Sequence, residues 1–216
     1  MGSSAALVGL SVFCVSVTLG FQVWPGASEL LRFSRVSYEQ GAFWQPLTSQ
    51  WVHLSGWHAV ANAVAFALIL LASDRWVRWP LQLLALGGGY VAVALVVSLD
   101  PDCSYYAGAS GALHGLLAGN AMGLAWGGRS PAPVDAIAAR WSRGVAAALL
   151  SIMALKLWLQ AGGSGEAAQQ AMLGAWSFPV YHPAHVAGAL GGAGLVLVVL
   201  AACALLAPKH HGRNSQ

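Results

Sequence analysis

Tyr105-Tyr-Ala-Gly-Ala-Ser110-Gly-Ala-Leu-His114-Gly-Leu-Leu-Ala-Gly119-Asn-Ala-Met-Gly123-Leu-Ala-Trp126 carries no Asp, Glu, Lys or Arg over a length suited to crossing a bilayer. It reads as a transmembrane helix, and its polar residues sit toward one end. Five more apolar runs flank it, so residues 4–24, 58–73, 81–99, 105–126, 144–160 and 184–207 are the expected spans. The second and fifth are short for a span and need tilt, neighbouring residues or local thinning to complete them. The first has no basic leader and no small-residue cleavage site, so it is read as a retained helix.

Composition agrees with this reading. Asp, Glu, Lys and Arg make up 8% of the 216 residues and hydrophobic residues 57%, against about 25% charged in a soluble domain. So few charges cannot cover a soluble surface. Disorder, collagen, a disulfide scaffold and a basic nucleic-acid binder are excluded, which leaves an all-α polytopic membrane protein. Lipid is then the expected environment and nucleic acid is not an expected partner. Three scattered cysteines make no disulfide framework. Cys14 and Cys203, in apolar runs, are expected to be buried small hydrophobes, and Cys103, in a loop, free or paired with a partner.

Charge placement sets an orientation. Arg75, Arg78, Arg129, Arg140, Arg143, Lys209 and Arg213 all fall on one side of the six spans, which is therefore expected to be cytoplasmic, with both termini. Arg32 and Arg35 on the other side are offset by Glu29 and Glu39. Lys156 is the lone cation within a span and is expected to snorkel outward.

Polar residues within spans are expensive and mark function. Here they form three clusters: His53 to His58 and Asn62 opening span two, Gly108-Ala-Ser110-Gly111 with His114 opening span four, and His182-Pro-Ala-His185 opening span six. All three fall at the outer ends of the helices that run inward, and the polar groups are expected to stop at that outer third. Each residue alone has a plainer role, as an interfacial group or an interhelical bond. The rows Gly111, Gly115, Gly119, Gly123 and Gly188, Gly192 ordinarily mean close helix packing. Such packing of spans four and six would bring Ser110 to His185.

Together the clusters contain the parts of a serine hydrolase. Ser110 needs a base, and His185 suits that role near neutral pH. The backbone N–H of Ser110, the His58 imidazole and the Asn62 amide are candidate donors to an oxyanion. No carboxylate lies among them, so a Ser-His dyad is expected rather than a triad. Counted from residue 105, Ser110 would lie five residues into its helix, roughly 8 Å below the boundary. No zinc motif and no intramembrane aspartate is present, and His53, His58, His182 and His185 lack the carboxylate or thiolate that metal sites favour. Neither a metal nor a cofactor is expected. A small transporter is a poorer reading, since no inverted repeat or pair of broken spans is seen.

These motifs resemble the rhomboid family of intramembrane serine proteases. Trp44-x3-Thr48-x4-His53-x4-His58-x3-Asn62, Gly108-Ala-Ser110-Gly111 and Ala184-His185-x2-Gly188-x3-Gly192 occur in order on the matching spans. The resemblance implies one six-helix bundle over residues 1–216 with no extra domain. It implies Ser110 as nucleophile, His185 as base, and His58 and Asn62 in the oxyanion hole. His53 would bond the loop between spans one and two, and Gly108, Gly111, Gly188 and Gly192 would support the site. Two positions depart from the family pattern. The usual Trp-Arg reads Trp44-Gln45, and the residue four after the nucleophile, often Tyr and stacked on the catalytic His, is His114. Gly-x-Ser-Gly-x-x-His-Gly and the short first outer loop are most similar to the rhombosortase subfamily. That likeness implies cleavage of glycine-containing C-terminal tail anchors of exported proteins, at the periplasmic side of a bacterial inner membrane. The rival implication is a catalytically inactive rhomboid-like protein that binds membrane clients.

Overall fold

The computed structural model describes residues 2–126, 136–161 and 180–206. Arg129, Glu166, Lys209 and Arg213 lie outside the described residues. The fold is an all-α helical bundle. The long helices are α1 (Gly2–Val23), α5 (Gly56–Ser73), α6 (Trp79–Leu99), α7 (Ser110–Ala125), α8 (Ala136–Ala161) and α9 (His182–Leu206). Between α1 and α5 lie three short helices, α2 (Ala27–Leu31), α3 (Arg35–Glu39) and α4 (Gln45–Thr48), and a 3-10 turn at Ser49–Trp51. Five of the long helices are long and apolar enough to cross a membrane.

The exception is α7, at 16 residues. It is about 24 Å long, shorter than the roughly 30 Å hydrocarbon layer. It can be short because protein encloses it: eleven of its residues are buried. Its start corrects the sequence reading. Tyr105–Tyr106 is not helix but a short strand, paired antiparallel with Phe33–Ser34 (Phe33 opposite Tyr106). Gly108 follows at φ 126°, which a side chain resists, and α7 begins at Ser110. The nucleophile candidate is therefore the first residue of its helix, not the sixth. It is recessed all the same: a Cβ on Gly111 would meet the Val93 side chain, and Val93 lies six residues, about 9 Å, below the end of α6. The expected fifth span at 144–160 is, by contrast, longer. It starts at Ala136, because the polar turn containing Arg140 and Arg143 is helical too.

Glycine brings α6, α7 and α9 together without side chains between them. A Cβ on Gly115 would lie 2.6 Å from Cα of Gly89 and 2.7 Å from the carbonyl oxygen of Gly188. One on Gly188 would fall on the carbonyl of Gly111, and one on Gly192 on that of Gly115. Gly88 and Gly191 repeat the contact between α6 and α9. In lipid, where apolar burial drives little association, such close backbone approach supplies the dispersion contact that holds helices together.

A polar cluster near the inner end departs from the expectation that polarity stops at the outer third. Asn120 Nδ2 donates to Ser73 Oγ at 2.9 Å and to Gln82 Oε1 at 3.4 Å, and Gln82 Nε2 donates to the Val77 carbonyl at 3.3 Å. These bonds tie α5, α6 and α7 together. Cys14 is buried as expected, whereas Cys203 is exposed on the outside of α9, where lipid suits an apolar thiol equally well.

Candidate active site

The close packing of α7 and α9 sets Ser110 Oγ 2.8 Å from His185 Nε2. Both lie at helix starts. As the first residue of α7, Ser110 has a backbone N–H with no carbonyl to meet within the helix, at the end where the helix dipole favours negative charge. His185 is 4% exposed, held where α9 meets the first turn of α7. Its other nitrogen, Nδ1, lies 3.1 Å from Gln160 Oε1 on α8. Gln160 escaped the sequence reading. Its signal was weak, a single amide at the end of an apolar run.

His114 lies one turn below Ser110, and its ring stacks on that of His185, with centroids 4.3 Å apart and planes 16° apart. Its Nδ1 lies 2.6 Å from the Ser110 carbonyl oxygen, and its Nε2 lies 2.6 Å from Lys156 Nζ. Lys156 therefore turns to the site instead of snorkelling outward, because an imidazole within reach offers the ammonium an acceptor.

His58 opens α5, capped by Ser55 Oγ. Its imidazole lies against Gly108, where a Cβ would come 2.7 Å from His58 Cε1. That contact is a second reason for glycine at 108. His53 meets His58 edge to face, with centroids 4.9 Å apart. Burial, with His58 beside it, pushes the His53 imidazole down to about 3, so the ring is neutral. Its Nε2 accepts the Ala109 N–H at 3.4 Å. This corrects the role expected of His53: it bonds the segment leading into Ser110, not the loop between spans one and two. Asn62 is buried one turn after His58, and its Nδ2 has no partner among the described residues. It borders the same cavity as Ser110, His58 and His185. No metal-holding group of three His, Cys, Asp or Glu occurs among the described residues.

That cavity has a volume of ≈ 490 Å³ and is lined by residues of α5, α7 and α8. Ala61, Ala65, Ile69, Leu113 and Leu117 make its deeper wall apolar, while Asp102 to Ala107, Val180 and Tyr181 roof it. The cavity therefore has apolar walls with Ser110, His185, His58 and Asn62 at its polar end. Among the described residues it is also where the polar groups of α5, α7, α8 and α9 converge.

The surrounding loops are fixed by Arg35, also unsuspected from sequence. Its guanidinium caps the end of α6 through the carbonyls of Val97 (2.7 Å), Ser98 (2.9 Å) and Asp100 (2.6 Å). Gln45, standing where an arginine is usual, accepts the Ser34 N–H at 3.0 Å instead. Tyr181 O–H donates to Asp100 Oδ2 at 2.5 Å, tying the approach to α9 to the end of α6. That bond and the Asp102 N–H hold the Asp100 carboxyl below the usual carboxylate range. Cys103 is buried beside them, its thiol pushed up to about 11 by burial, and so is unreactive.

A family model described as the Rhomboid domain matches residues 40–202. No curated protein and no solved structure matches the chain.

Proposed function

The chain belongs to the rhomboid family of intramembrane proteases, and on that premise we propose that it is an active serine endopeptidase with Ser110 as nucleophile and His185 as general base. The observation that carries this reading is the 2.8 Å contact between Ser110 Oγ and His185 Nε2 at the polar end of an apolar cavity. Nε2 takes the Oγ proton as Oγ attacks the scissile carbonyl. The resulting oxyanion meets the Ser110 N–H at the start of α7, with the His58 imidazole and the Asn62 amide as side-chain donors. His185 passes its proton to the leaving amine, the C–N bond breaks, and water attacks the acyl-enzyme by the same route in reverse.

The client is a transmembrane protein of the rhombosortase-substrate kind, cut at a glycine pair just outside a C-terminal tail anchor. A helical peptide bond is shielded by its own hydrogen bonds, so the client must unwind at the mouth of the cavity. Glycine eases unwinding by about 1 kcal/mol per residue relative to Ala and lets the backbone approach a recessed serine. The arginines at the far end of the bundle, Arg75, Arg78, Arg140 and Arg143, support a cytoplasmic assignment for that end. The site then opens to the periplasmic side of a bacterial inner membrane, with both termini cytoplasmic.

A fluorophosphonate probe tests the chemistry: labelling of Ser110 is expected, and none would leave an inactive client-binding protein. Replacing the client's Gly-Gly with Val-Val tests the substrate. Processing is expected to stop; cleavage at an undiminished rate would remove the tail-anchor assignment while leaving the protease.

A further inference from the structure

The mechanism above needs a bare Nε2 on His185, because Nε2 must accept the Ser110 proton. A neutral imidazole with a bare Nε2 carries its proton on Nδ1, and a buried Nδ1–H needs an acceptor. Among the described residues, the ionisable groups that act electrostatically on His185 are His114, Lys156, His58 and His182. None of these is a carboxylate, and the acceptor found among the described residues is a neutral oxygen. Gln160 Oε1 is at 3.1 Å from Nδ1.

We propose that Gln160 is a positioning residue of the catalytic unit, its Oε1 holding His185 in the Nδ1–H tautomer that leaves Nε2 free to take the serine proton. The proposal rests on the serine-protease reading and deepens it. Gln160 takes no proton at any step. As the proton leaves Oγ for Nε2, His185 becomes imidazolium, and the amide dipole at Nδ1–H opposes its tilting out of line until Nε2–H is given to the leaving amine.

The rest of α8 supports the assignment. Lys156 lies four residues before Gln160 and so on the same helix face. The Ser110 carbonyl can only accept, so His114 Nδ1 donates to it, and His114 Nε2 is then the acceptor of the Lys156 ammonium. Both rings of the stacked pair are therefore held at the edge facing α8, His185 by Gln160 and His114 by Lys156.

The test uses the full chain in lipid nanodiscs, with the rate of fluorophosphonate labelling at Ser110 and client kcat and KM as readouts. Gln160→Met keeps the length of the side chain and removes the acceptor. It is expected to slow labelling and kcat about tenfold, the worth of one hydrogen bond, with KM unchanged. Gln160→Glu restores an acceptor and should recover the rate. Its carboxylate favours the imidazolium, so the base is neutral only at higher pH and the acidic limb of the kcat/KM profile moves up. Wild-type rates in Gln160→Met would overturn the proposal. Should that variant fail to fold, Gln160→Glu decides alone, since an acidic limb that does not move means no contact with His185. A wild-type protein that is never labelled at Ser110 overturns the protease reading together with this one. Labelling that is equal in all three proteins overturns only the role of Gln160.

Discussion

Two regions of the bundle are held together in opposite ways. Helices α6, α7 and α9 meet backbone to backbone at Gly88, Gly89, Gly111, Gly115, Gly188, Gly191 and Gly192. Helices α5 and α8 lean on that block through side chains: His58 on Gly108, Asn120 on Ser73, Lys156 on His114 and Gln160 on His185. The block carries Ser110 and His185, the proposed nucleophile and base. The two outer helices carry His58 and Asn62, the proposed oxyanion donors, and Lys156 and Gln160, which contact the imidazoles. On that proposal, chemistry that tolerates no misplacement is built on the region with no freedom to repack, and the parts that would face an incoming client are built on the region that has some.

This contrast predicts all-or-none effects in the block and graded ones outside it. The largest expected effect is from Ser110→Ala or His185→Ala. Each should abolish cleavage in a folded protein, and the double variant should be no worse, because the pair acts as a unit; substantial turnover by Ser110→Ala would end the serine-protease reading. Next is Gly188→Val, whose added carbons would fall on the Gly111 carbonyl. It should cost about 3 kcal/mol or more, read as lost thermal stability in detergent. Gly194→Ala, where a Cβ meets open space, is the control and should be neutral. Equal stability of the two would break the comparison.

Outside the block, His58→Ala and Asn62→Ala should each lower kcat by about 10²–10³ with little change in KM. Unchanged rates in both would reduce them to packing groups. Within the block, His114 touches His185 and not the reacting atoms, so its effect is graded as well: His114→Tyr should retain activity, since a phenol ring can also stack on His185, whereas His114→Ala should lose about tenfold, a loss of one modest contact. The smallest effect on catalysis is expected from Arg35→Ala, whose loss falls on stability. It uncaps the three carbonyls at the end of α6 and should lower stability by about 1–3 kcal/mol, with faster amide exchange confined to residues 97–106. Global loss of protection would mean that the outer loop is part of the core rather than a cover.

Much of the block was legible in the sequence, and much of the periphery was not. Six apolar runs, three polar clusters at corresponding ends and two glycine rows sufficed to expect that Ser110 and His185 would meet, because each signal repeats along the chain. The glycines of α6 escaped notice inside an apolar run. The start of α7 was misplaced because Tyr105, Tyr106 and Ala107 are as apolar as a helix needs, and only pairing with the distant Phe33–Ser34 makes them a strand. Gln160 was missed, and Lys156 expected to snorkel outward, for a related reason. A single amide or ammonium near a helix end ordinarily reaches for the interface, and what turns it inward is a ring on another helix. Arg35 was read as one charge of an outer loop, and the end of α6 it caps is more than sixty residues away.

The contact of Gly188 with Gly111 has a consequence for how the protein senses its surroundings. A bilayer that thickens or thins acts on a helix through tilt, and tilt is resisted by whatever the helix leans on. Between α7 and α9 the resistance is bare main chain, so the separation of Ser110 and His185 is set by atomic radii and not by lipid. α5 and α8 have only side chains to hold them in place, and α8 brings Gln160 with it. Varying acyl-chain length should therefore leave the serine–imidazole distance alone while altering the width of the cavity and the steadiness of the imidazole. Under the proposed mechanism the membrane then acts on admission and on rate, while the bond-making geometry is insulated from it.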